Sequence, residues 1–129
     1  MRDIYIKQTS KTPEIKFLAA KGVLELKGVS IPEDAEKIYA PLLDWVEEYV
    51  KTTRNKETHF IFKLVYFNTS TSDYLVGLLK SLKRLYEKDG DLTIDWYYEE
   101  DDEDMIETGS HFQAIIGVNF NFISCVEIL

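Results

Sequence analysis

Apolar and polar positions alternate over residues 23–29. Val23, Glu25, Lys27 and Val29 fall on one side, Leu24 and Leu26 on the other. A period of two predicts a β-strand with one wet face. Residues 15–18 read as a second strand, and Ala20-Lys21-Gly22 between the two supplies a hairpin turn. Residues 59–67 are apolar at nearly every position, which predicts a central strand covered on both faces. Residues 91–98 form a further strand, and a last one begins at 119–123.

Three stretches carry helical spacing. Ile38, Leu42, Trp45, Val46 and Tyr49 make one stripe. The helix opens in Ser30-Ile31-Pro32-Glu33-Asp34, with Ser30 or Ile31 placed to cap and Pro32 suited to the first turn. Pro41 falls inside this stripe and predicts a kink or break near residues 37–40. A second helix spans about 72–88, with Leu75, Leu78, Leu79, Leu82, Leu85 and Tyr86 inward and Gly90 ending it. A third covers 102–116 with Met105, Phe112 and Ile116 inward. Alternation of strands and helices implies one α/β domain over residues 1–129, a mixed sheet with three main helices. The polar residues 1–12 are expected to be loosely held around a short strand.

Composition narrows the function classes. Hydrophobic residues make up 45% of the 129, enough for a packed core. The net charge of −8 opposes nucleic acid and anionic membrane surfaces as partners. No apolar run nears the ~20 residues that span a bilayer, and the start of the chain has no signal-like apolar region, so a cytoplasmic location is expected. The single cysteine, Cys125, makes neither an internal disulfide nor a Cys-rich zinc site and reads as a buried small hydrophobe.

Asn68, Thr69, Ser70, Thr71 and Ser72 join the apolar strand to the second helix. One of them is needed as a cap, which leaves the others to explain. Helix starts have free N–H groups and a positive dipole end, so a phosphate on one of these hydroxyls would be well held. Such a modification is a reversible switch. Physics alone does not choose among the four hydroxyls.

Glu99 to Asp104 is a run of six acids. It lacks the spaced, glycine-containing pattern of an EF-hand; it reads as helix-start decoration and as a docking surface for a basic patch. His59 and His111 have no ligand-spaced companions, and no metal or cofactor is expected. No nucleophile triad or phosphate loop is present, so an enzyme is not expected. Asp95 either points toward the polar turn or lies on an exposed sheet face. Lys80, Lys83, Arg84 and Lys88 line the second helix as a solvated face or as a partner contact.

Three segments resemble one known family. Val65-Tyr66-Phe67-Asn68-Thr69-Ser70-Thr71-Ser72 is similar to its YFNTSS segment. Ser30-Ile31-Pro32-Glu33-Asp34-Ala35 with Tyr39-Ala40-Pro41-Leu42-Leu43-Asp44-Trp45 resembles a second motif. Asp95-Trp96-Tyr97-Tyr98-Glu99-Glu100-Asp101-Asp102-Glu103-Asp104-Met105 resembles a third. On these the chain is identified as a member of the SiaC-type bacterial regulatory phosphoproteins, over about residues 13–123. The resemblance implies a STAS-like fold and a signalling protein that is not an enzyme. It implies phosphorylation at Thr69, with Ser70 as the alternative. It implies as partners a histidine-kinase-like Ser/Thr kinase, a PP2C-type phosphatase and an effector such as a diguanylate cyclase. Asn68, Ser70, Thr71, Ser72, Trp96, Asp101, Asp102, Glu103 and Asp104 become the expected partner-binding residues. The alternatives are a small-anion-binding domain or a STAS-type anti-anti-sigma factor. Ile31 and Asp73 depart from the family, where an aromatic and a lysine are frequent.

Overall fold

A computed structural model describes residues 1–129. The elements are β1 (Ile4–Ile6), β2 (Glu14–Leu18), β3 (Val23–Ser30), α1 (Ala35–Thr52), β4 (Glu57–Phe67), α2 (Thr69–Glu87), β5 (Asp91–Glu99), α3 (Glu103–Ile116) and β6 (Phe120–Cys125). The six strands form one sheet in chain order. β1, β2 and β3 pair antiparallel; β3 to β6 pair parallel.

Each parallel crossover steps one strand in the same direction. Right-handed connections of that kind place every helix on the same face. The register confirms it: Phe17, Leu24, Phe60, Ile94 and Phe120 form one row across the sheet. All five are buried and join the stripes of all three helices in one core. The expectation that β4 is covered on both faces is therefore corrected. His59, Ile61, Lys63 and Val65 are only half-buried, on a face that no helix covers. Charge pairing keeps that face wet: Lys63 of β4 reaches Glu25 of β3 at 3.4 Å, and within β2 Lys16 reaches Glu14 at 3.6 Å.

α1 differs from expectation in two ways. Its cap is Asp34, whose carboxylate accepts from the Lys37 N–H at 3.3 Å; Ser30 stays in β3. Pro41 does not interrupt the helix. Its ring is exposed, so water can reach the Lys37 carbonyl it deprives of a partner. Burial of Leu42, Trp45 and Val46, at roughly 1.5–3 kcal/mol each, outweighs the ~3 kcal/mol cost of an interior proline. Tyr86, placed on the inward stripe of α2 by its spacing, is instead 54% exposed. The N-terminal segment is tied down more firmly than its polarity suggests. The Trp45 indole donates to the Arg2 carbonyl at 2.6 Å, and Asp3 accepts from the Ala19 N–H at 2.9 Å. No helix is long and apolar enough to cross a membrane.

Candidate functional site

β3, β4 and β5 all end at the same edge, at Ser30, Phe67 and Glu99. The three motifs meet there. Asn68 follows β4 in an extended conformation and caps α2. Its Oδ1 accepts from the Thr71 N–H at 3.0 Å and from the Ser70 hydroxyl at 3.0 Å. Its carbonyl accepts from the Ser72 N–H at 3.0 Å. The helix thus begins at Thr69, three residues before the predicted start. The turn is the first turn of α2 rather than a loop ahead of it.

The hydroxyls have unequal fates. Thr71 is fully buried and donates to the Ser30 carbonyl at 3.2 Å. Its oxygen lies 2.9 Å from Ser30 Oγ, which lies 2.6 Å from the Tyr39 hydroxyl. Because Thr71 spends its proton on the carbonyl, it accepts from Ser30, and Ser30 accepts from Tyr39. Every hydroxyl in the chain Tyr39–Ser30–Thr71 then donates once, and none is left unpaired. Burial pushes the Tyr39 pKa up, against the smaller opposing effect of the Ser30 and Thr71 hydrogen bonds, so the phenol stays protonated. The Asn68 N–H also donates to the Ser30 carbonyl, at 3.1 Å. β3 and α1 therefore hold the start of α2 in place.

What remains is selective. Ser70 is exposed but bonded to Asn68, and Ser72 is half-buried. Thr69 is exposed, and its hydroxyl makes no hydrogen bond within the protein. It occupies the first helical position, where the leading N–H groups lack helical partners.

The acidic run starts α3. Asp102 caps it, accepting from the Met105 N–H at 3.1 Å; Asp101, Glu103 and Asp104 are exposed. Trp96 is 1% exposed, and its indole donates to the Met105 carbonyl at 3.0 Å. Its ring meets Phe67 edge-on at 6.2 Å and Phe112 at 5.4 Å. Trp96 and Thr71 were both expected to touch a partner. Both are sealed in the interior, and they act by fixing the two segments that do face out. No local pattern in the sequence marks the Tyr39–Ser30–Thr71 chain, although Ser30 and Tyr39 both belong to the second motif.

A family model described as SiaC family regulatory phosphoprotein matches residues 6–125. The chain belongs to the SiaC family. A curated relative, an uncharacterised protein of Pseudomonas aeruginosa (strain UCBPP-PA14), is 26% identical over 113 residues, covering 88% of this chain and 89% of its own. Crystal structures agree on the fold. Apo-SiaC of Pseudomonas aeruginosa superposes with a TM-score of 0.82 at 22% identity, covering 95% of this chain and 99% of its own. SiaC of the same organism, in complex with the diguanylate cyclase SiaD that it activates, gives 0.87 at 23% identity, covering 95% and 100%.

Two further groups lie away from the SiaC-family motif edge. Asp95 is on the helix-free face and not toward the turn. His59 Nε2 lies 2.6 Å from its carboxylate, and the Asn121 side chain donates to it at 3.0 Å. Cys125 is half-exposed at the sheet edge, not buried; desolvation, with Glu99 and Glu100 beside it, pushes its thiol pKa up. No group of three acidic, histidine or cysteine side chains is arranged to hold a metal ion.

Proposed function

We propose that this SiaC-family chain is a phosphorylation-switched binding protein with Thr69 as the phosphoacceptor. The observation that carries the reading is the hydroxyl sorting at the start of α2. Thr71 is sealed, Ser70 is bonded to the cap, and Thr69 alone is both exposed and unbonded. A phosphate there would gain the unpaired N–H groups and the positive end of the helix without disturbing the core. A partner would meet a group of nearly two negative charges where a neutral hydroxyl had been.

The proposed enzymes acting on Thr69 are a histidine-kinase-like Ser/Thr kinase and a PP2C-type phosphatase. The proposed effector is a protein such as a diguanylate cyclase, bound by the unmodified form. The Pseudomonas aeruginosa SiaC is the activator of the cyclase SiaD, and the shared fold supports a similar role. The chain acts by binding rather than by turnover. A small-anion site at the same place is the weaker reading, because the neighbouring cleft offers no Lys or Arg to hold an unattached anion, whereas a phosphate on Thr69 is held covalently.

The test is effector binding with Thr69 unmodified, phosphorylated, or replaced by Ala. Unmodified chain and Thr69→Ala should bind alike while the phosphorylated chain is released. Equal binding of the phosphorylated chain would defeat the switch.

A further inference from the structure

Every Lys and Arg in the chain precedes Asp89. β5, α3 and β6 therefore carry no fixed cation, and β5 and α3 carry acids. Residues 64–79, which hold the end of β4 and the start of α2, also contain no Lys or Arg. The edge where Thr69 sits thus combines two segments without basic side chains. Between them lies a cleft of about 160 Å³. Val65, Tyr66, Phe67, Met105 and Thr108 line it together with Asp102 and Asp104; Asp104 is exposed, and Asp102 caps α3 through the Met105 N–H. Tyr66 is 58% exposed, the most exposed tyrosine of the molecule and the one next to the switch segment.

The size of the cleft decides what it takes. Ligand sites usually enclose ~300–1,000 Å³, so this one is too small for a nucleotide or cofactor. It is of the size of one aliphatic side chain. An apolar hollow with an aromatic wall and a carboxylate rim suits a hydrophobic knob flanked by cations. Phe67 lies two residues from Thr69 and packs on Trp96, whose indole holds the Met105 carbonyl. The acceptor residue and the cleft thus share one rigid support.

We infer that this cleft is the anchor point for a basic protein segment, one Leu-, Ile- or Met-sized side chain with Arg or Lys on either side. The inference rests on the switch reading above, of which it names the contact. A phosphate on Thr69 would place its bulk beside the cleft, and release on phosphorylation requires that crowding of the seated segment to outweigh the added attraction to its cations.

The test uses the full, unphosphorylated chain, labelled with nitrogen-15, and three synthetic peptides of equal length. One carries Leu between Arg residues, a second replaces Leu by Ala, and a third replaces Arg by Glu. The first should shift the amides of Tyr66, Phe67, Asp104, Met105 and Thr108 saturably, and weaken with salt. The second should bind at least about fivefold more weakly, as loss of an anchored aliphatic side chain requires, and the third should leave the spectrum unchanged. Asp104→Lys and Tyr66→Ala, both at exposed positions, should each reduce binding of the first peptide. Shifts spread over other surfaces, or equal binding of the Glu peptide, would overturn the inference. Phosphorylation of Thr69 is untouched by that failure, and peptide binding is untouched if Thr69 proves unmodified.

Discussion

Thr71 and Ser30, 41 residues apart in sequence, place their hydroxyls 2.9 Å apart with no solvent between them. This contact links the end of β3 to the first turn of α2. It removes Thr71 from the set of modifiable residues. It also passes through Ser30 to Tyr39, so α1 shares in fixing the start of α2.

Thr71→Val keeps the shape of the side chain and removes the hydroxyl. The Ser30 hydroxyl and carbonyl then each lose a partner in a dry site, at a cost of roughly 1–3 kcal/mol. Urea denaturation should show this loss. Thr71→Ser, which retains the oxygen, should recover most of it, and phosphorylation of Thr69 should persist in both.

Tyr39 sets an alkaline limit. Its pKa is raised above the ordinary 10.0 by burial. Above that ordinary value the unfolded chain releases this proton while the folded chain still holds it, so stability falls as pH rises. The contribution is fully present below pH 10 and is lost as pH climbs through the raised folded value. Denaturation midpoints measured from pH 8 upward should fall less steeply in Tyr39→Phe than in the parent.

Gly109 lies under Trp96. A Cβ there would come within 2.7 Å of the Trp96 indole nitrogen and 2.7 Å of the Phe122 ring. Gly109→Ala gains up to ~1 kcal/mol of helix propensity and incurs typically 1–3 kcal/mol of overpacking. The net expectation is a lowered thermal midpoint together with a changed tryptophan emission, since the displaced ring is one of only two indoles.

Asp73 is one helical turn from Thr69 and exposed. Like charges at that spacing destabilise by about 0.2–0.5 kcal/mol, and opposite charges stabilise by as much. Asp73 therefore offsets much of what a phosphate gains at the helix start, so phosphorylation should shift the thermal midpoint of the parent little relative to its unmodified form. In Asp73→Lys the same modification should raise it.

Much of this architecture is visible in the sequence, because periodicity reports burial directly. The alternation of residues 23–29 appears as the half-buried and buried faces of β3. Met105, Phe112 and Ile116 lie inward on α3 as spaced. Local capping was harder to read, since several residues compete. Ser30 has the chemistry of a cap but is held in β3 by a partner that arrives from α2. Asn68 captures the Thr71 N–H, and so α2 starts earlier than its apolar stripe.

The one-sided sheet was hidden for a similar reason. Ile61 and Val65 look like core residues, yet the Lys63–Glu25 pair between β4 and β3 and the Lys16–Glu14 pair within β2 sustain a wet face. Pro41 resembles a breaker locally because a local rule cannot weigh the tertiary burial of Leu42, Trp45 and Val46. The candidate site was legible as a polar segment with four hydroxyls. Its selectivity was not, because it depends on Ser30 and Tyr39, which only the fold brings near.

The most direct measurement is intact-mass analysis of the chain after incubation with the proposed histidine-kinase-like Ser/Thr kinase, with fragmentation to place the phosphate. The parent and Ser70→Ala should each gain one phosphoryl group on Thr69, and Thr69→Ala should gain none. A phosphate found on Ser70 of the parent, or undiminished modification of Thr69→Ala, would contradict the assignment.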